Sequence, residues 1–334
     1  MIANILEPCP NVQDINLEYL PRDPMITAAV SEMFFAANRN ALQEFHVDSP
    51  LTEEASKAVC KSQNLRRLSV AIEKGTSIPS VSLPNLTRLQ IDCEDEGDVL
   101  QLLRGATFGE LESVHFYIES RPTNDFLEAF KEAALSSSIQ STLSTICITA
   151  NFPQDLDYSP LLPFTQLVDL DILFPCYDSC SGVNDDTLID LSRAMPNLQL
   201  LGLGSNPCRQ FAGGATAKGL MALAHNCPNL SSLRVHFQVA SLSDPPTSLE
   251  TTRNTGYSAS RTDCALMELD VGRMPVPEGS ASMIALALLR IFPQIQITNF
   301  MDEGWDEVED ELRRSKEIID CSSTTTSLYL EIPR

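Results

Sequence analysis

Proline, asparagine and an apolar residue recur in that order at Pro10-Asn11-Val12, Pro84-Asn85-Leu86, Pro196-Asn197-Leu198 and Pro228-Asn229-Leu230. Each copy opens the same pattern, an apolar residue followed by apolar residues three and five positions later. The full series is Val12/Ile15/Leu17, Leu42/Phe45/Val47, Leu65/Leu68/Val70, Leu86/Leu89/Ile91, Leu111/Val114/Phe116, Leu143/Ile146/Ile148, Leu167/Leu170/Ile172, Leu198/Leu201/Leu203, Leu230/Leu233/Val235, Leu266/Leu269/Val271 and Phe292/Ile295/Ile297. The apolar windows can be chosen to fit, but the fixed phase of Pro-Asn does not depend on that choice. Successive units start 21 to 36 residues apart, 28 on average. A unit of that size cannot bury its own apolar face, so the chain must stack unit upon unit.

The apolar spacing resembles the leucine-rich repeat, in which L-x-x-L-x-L forms one short strand per unit. The resemblance implies an α/β leucine-rich-repeat solenoid: a curved parallel sheet lining the concave face, with helices and loops on the convex face. It covers residues 1–300 as about eleven irregular units. Only Leu143 and Leu198 lead to an asparagine at the ninth position (Asn151, Asn206), so the usual asparagine ladder is largely missing.

Between the triples, helical spacing is read from Ile26, Ala29, Val30, Met33, Phe34 and Ala37, and from Leu188, Leu191 and Met195 behind Asp185 and Asp186. It recurs at Leu220, Leu223, Ala224 and Cys227, and at Ile284, Leu288 and Phe292. Short gaps such as Val70 to Leu86 leave room only for a loop or a single turn. Residues 241–261, rich in Ser, Thr, Pro and Asn, read as a mobile insertion. Residues 301–334 read as an acidic capping segment, a helix followed by a last strand near Leu328, Leu330 and Ile332.

The run from Gly219 through His225-Asn226-Cys227-Pro228-Asn229-Leu230 to Val235 is similar to the cysteine-containing repeats of F-box proteins, and of fungal members most. Cys9-Pro10-Asn11-Val12 repeats the signature, and Met195-Pro196-Asn197-Leu198 carries methionine in place of cysteine. In that family the repeats recognise a substrate while an N-terminal F-box docks on a ubiquitin-ligase adaptor. No F-box pattern follows Leu20-Pro21, so adaptor docking requires an F-box upstream. The chain otherwise reads as a truncated gene product, or as a protein that works without the ligase.

Composition narrows the partners. Lys plus Arg number 23 against 45 Asp plus Glu, a net charge of −22, which repels phosphate backbones and anionic lipid. Neither nucleic acid nor a membrane is an expected partner. A single Trp and 6% aromatics suit aliphatic layers better than one aromatic-rich core. The start of the chain lacks a basic, apolar leader and the ten cysteines read as reduced thiols. The expected setting is intracellular, cytoplasmic or nuclear, and the expected state is a monomer.

No residue set supports catalysis, and no metal or cofactor is expected. Cys176 and Cys180 lack two further ligands at zinc spacing. Gly213-Gly214 with Lys218 lacks the phosphate-loop pattern. His46, His115 and His236 read as residues of the open face in three different units, too far apart to form one triad.

Side chains alternate along a strand, so the residues between the apolar ones face outward. The expected protein-binding set on the concave face is Asp14, Glu18, Glu44, His46, Asp48, His115, Tyr117, Asp169, Asp171, Arg234 and His236. Acids concentrate in the first two units and again at Asp169 and Asp171. The function expected is a protein–protein interaction scaffold, the substrate-recognition part of an F-box-like system. The alternative is an acidic intracellular repeat protein that binds a basic partner, such as a Lys- or Arg-rich segment of a histone.

Overall fold

A computed structural model describes residues 12–17, 24–36, 41–50, 52–59, 62–72, 81–123, 125–150, 156–174, 183–204, 214–243, 264–272, 274–298 and 304–325. The chain is mixed α/β and divides into two units, 1–179 and 180–334. Seven strands of the first unit pair in parallel, each with the next in the series, and four strands of the second unit do the same.

In the first unit these are β1 (Asp14–Leu17), β2 (Glu44–Pro50), β3 (Arg67–Ile72), β5 (Arg88–Cys93), β7 (Ser113–Ile118), β8 (Thr145–Ala150) and β9 (Asp169–Leu173). Every apolar triple of this unit lies on or at the start of one of them. The pairing keeps the triples in phase, with Ile15, Phe45, Leu68, Leu89, Val114, Ile146 and Leu170 in one line across the strands. All seven are at most 6% exposed. Parallel sheets are ordinarily covered on both faces. Here the burial alternates along the strands, so one face is packed and the other is open.

The packed face carries helices α1 (Pro24–Ala36), α2 (Glu53–Val59), α3 (Glu96–Gly105) and α4 (Phe126–Ser136) in the connections. Sequence order alone settles why: a parallel pair needs a crossover between its strands. Asp95 caps α3 by accepting from the Gly97 backbone N–H at 2.9 Å. Helix α4 contributes Phe126 and Phe130, and Phe130 sits 6.1 Å from Phe116 of β7 and 5.6 Å from Phe164, ring centre to ring centre. The core of this unit is therefore not purely aliphatic: an aromatic cluster fills the wider layer behind β7 and β8. A second departure follows Val70, where a loop is expected. Strand β4 (Val81–Leu83) pairs in parallel with β6 (Ala106–Phe108) in a separate two-stranded sheet. Gly109 closes that sheet against the Pro84 carbonyl, where a Cβ would stand 2.3 Å from the oxygen.

The second unit holds β10 (Leu200–Leu203), β11 (Ser232–Val235), β12 (Glu268–Asp270) and β13 (Gln296–Thr298). Between and around them run α5 (Asp185–Ala194), α6 (Ala217–Asn226), α7 (Ala240–Ser243), α8 (Ala281–Ile291) and α9 (Gly304–Thr325). Helices α5 and α6 are tied by one carboxylate. Asp185 accepts from the Thr216 N–H (2.7 Å), the Thr216 hydroxyl (2.7 Å) and the Gly219 N–H (2.9 Å). At the other ends of these helices, Met195 and Cys227 occupy equivalent buried positions. The Cys227 thiol reaches back to the Ser192 and Met195 carbonyls, and the Cys264 thiol to those of Cys227 and Leu230. Burial pushes the Cys227 thiol up to about 12 and raises that of Cys264. Like Cys93 and Cys147, neither is joined in a disulfide.

Two expectations need correction here. Ile297 pairs with Leu269, so it is the second and not the third apolar member of its unit. The shift is by two residues, so the two faces are unchanged. The segment 241–261 begins in order: Ser241 and Leu242 belong to α7, and Leu242 is buried. Residues 244–261 lie outside the described residues. The acidic helix, α9, extends to Thr325 and packs on α8, and its Trp305, Val308 and Leu312 are buried. Trp305 donates its indole N–H to the Met274 carbonyl at 2.7 Å. The last strand near Leu328 lies outside the described residues. Among the described residues, no helix is long and apolar enough to cross a membrane.

Candidate functional site

The parallel register turns the outward residues of the first unit into straight rows running across the strands. The first row reads Asp14, Glu44, Arg67, Arg88, Ser113, Thr145, Asp169. The second reads Asn16, His46, Ser69, Gln90, His115, Cys147, Asp171. With adjacent strands about 4.8 Å apart, neighbours in a row are within reach of one another. His46 and His115 share the second row but lie three strands apart, so they do not act on one atom.

The register brings together most of the residues expected on the face. Asp14 stands opposite Glu44. Glu44 receives the Arg67 guanidinium at 3.2 Å, so part of the first acidic cluster is already engaged. His46 Nε2 lies 3.1 Å from the Asp48 carboxylate. Asp48 itself sits where the β2–β3 register slips, between Val47 and Pro50. On β7, His115 Nε2 lies 3.1 Å from the Ser113 hydroxyl, and Tyr117 is 45% exposed. Burial lowers the pKa of His115, the Arg88 charge lowers it further, and Asp171 and Asp169 oppose both. Asp169 also accepts a long contact from the Thr145 hydroxyl at 3.5 Å.

In the second unit Arg234 faces outward between Gly202 and Asp270. His236 does not belong to the open face. Strand β11 ends at Val235, and His236 is only 4% exposed, its carbonyl accepting from the Ala215 N–H. Burial pushes its imidazole down to about 4. Glu18 lies outside the described residues, as do Cys176 and Cys180. Among the described residues no group of His, Cys, Asp and Glu could hold a metal ion.

Taken strand by strand, the sequence shows acids at both ends of the face and misses their relation to Arg67 and Arg88. The signal was there: all these residues hold the same position in their units, and reading along that position gives the row. Chemically the face offers alternating blocks of charge, short hydroxyl side chains at Ser69, Ser113 and Thr145, and an exposed tyrosine. No protein-family model matches the chain, and no curated protein matches it either.

Proposed function

We propose that the chain is a protein-interaction scaffold built as a leucine-rich-repeat solenoid, the substrate-recognition part of an F-box-like ubiquitin-ligase adaptor. The observation that carries this reading is the open face. Strand after strand buries its apolar residues on one side and presents charged and hydroxyl side chains in register on the other. The spacing of the triples and the Cys227-Pro228-Asn229-Leu230 junction support the repeat family. The net charge of −22 favours protein over nucleic acid or anionic membrane as partner. The protein needs no cofactor for this role and works as a monomer, inside the cell.

The Asp14–Glu44 and Asp169–Asp171 groupings favour a second reading, an acidic repeat protein that binds basic segments such as those of histones. One experiment addresses both. Glu44→Gln with Asp48→Asn removes two acids from the face, and Glu309→Gln with Asp310→Asn removes equal charge from exposed sites on α9. Binding of partners recovered with the parent chain falls in the first variant and not in the second. Equal loss in the two reduces the face to a nonspecific anionic surface.

A further inference from the structure

Resting on the interaction reading above, we propose that the open face of the first unit takes one extended segment of mixed charge. An Asp or Glu of the partner lies over Arg88, and a Lys or Arg four residues away lies over Asp169 and Asp171. The charge blocks require this order. From β1 to β9 the first row runs acid, acid, Arg, Arg, Ser, Thr, acid. A wholly basic segment crossing it meets Arg67 and Arg88 side by side.

Arg67 is compensated by Glu44 at 3.2 Å. Arg88 has no ion pair among the described residues, and its charge instead suppresses protonation of His115. An incoming carboxylate is thus favoured at Arg88, while an incoming ammonium or guanidinium is favoured at the Asp169–Asp171 pair. Between the two sites lie two short side chains, Ser113, buried beside His115, and Thr145, half-buried.

The spacing fits one conformation. Arg88 on β5 and Asp169 on β9 are three strand steps apart, about 14 Å at ~4.8 Å per step. An extended peptide rises ~3.4 Å per residue with alternate side chains on one side. Residues i and i+4 therefore share a side and lie about 14 Å apart.

The test uses the full chain and a phage-displayed library of random peptides, selected in parallel on the parent, on Arg88→Glu, and on Asp169→Lys with Asp171→Lys. Arg88 is exposed and the two acids are partly so, so an unchanged thermal midpoint verifies that each variant is folded. Peptides enriched on the parent should carry an acid and a base four residues apart. The best of them, synthesised, should bind each variant roughly tenfold more weakly. Exchanging its acid for Lys should restore binding to Arg88→Glu. Enrichment of wholly basic peptides that bind Arg88→Glu better than the parent overturns the mixed-charge proposal and leaves the interaction reading standing. Enriched peptides indifferent to all three substitutions overturn both.

Discussion

Leu201 on β10 and Gln296 on β13 occupy opposite faces of their strands, and the contrast between them tests the inward and outward assignment. Leu201 is fully buried between layers, whereas Gln296 is exposed. Leu201→Asp places a carboxylate with no partner in an apolar layer, at a cost of about 3 kcal/mol or more. Its thermal midpoint should drop sharply, while Gln296→Asp should leave the midpoint within a degree or two of the parent. His236 gives a second residue-scale prediction. Its folded pKa of about 4 lies below the ordinary 6.5, so the folded state disfavours the imidazolium. The stability this neutral ring retains above pH 6.5 is lost as the pH falls towards 4. His236→Gln should flatten the fall in thermal midpoint across that window relative to the parent, and identical slopes would place the ring in water. The sequence could not reveal this burial, because the repeat position of His236 is outward wherever a strand continues, and β11 stops one residue short of it.

Among the elements, the strands were the most legible, because a three-and-five apolar spacing repeated in phase leaves little freedom for anything but stacked short strands. Several helices were legible from their apolar stripes, including α5, α6 and α8. Less could be read where tertiary contacts decide. The β4–β6 sheet consists of three-residue strands with no periodicity of their own, seated by the Gly109–Pro84 approach and by buried Leu83, Ala106 and Phe108. Trp305 stood inside an acidic run, which masked its role as the buried anchor of α9. The link between α5 and α6 was equally hidden, since nothing in Asp185-Asp186 says that one carboxylate caps the next unit's helix. Asp185→Ala should strand the Thr216 and Gly219 donors and cost about 1–2 kcal/mol. Amide hydrogen exchange in 217–226 should speed up while exchange in β10 stays slow. Uniform acceleration through the unit would mean that the carboxylate supports the whole fold and not this helix start.

For the whole molecule, one set of apolar residues builds the strands, and the residues between them form the surface we propose as the recognising one. The acids at the ends of that surface were visible in the sequence. The compensation of Glu44 by Arg67, and the isolation of Arg88, emerged only from the register across strands. Photo-crosslinking tests the claim most directly. A photoreactive amino acid is placed at Tyr117, exposed on the open face, or at Met283, exposed on α8 at 51%. Incubated with partners copurified by the parent chain, the Tyr117 probe should form a discrete adduct that Arg88→Glu diminishes, and the Met283 probe should form none. Adducts from Met283 alone would place recognition on the helical side and contradict the account.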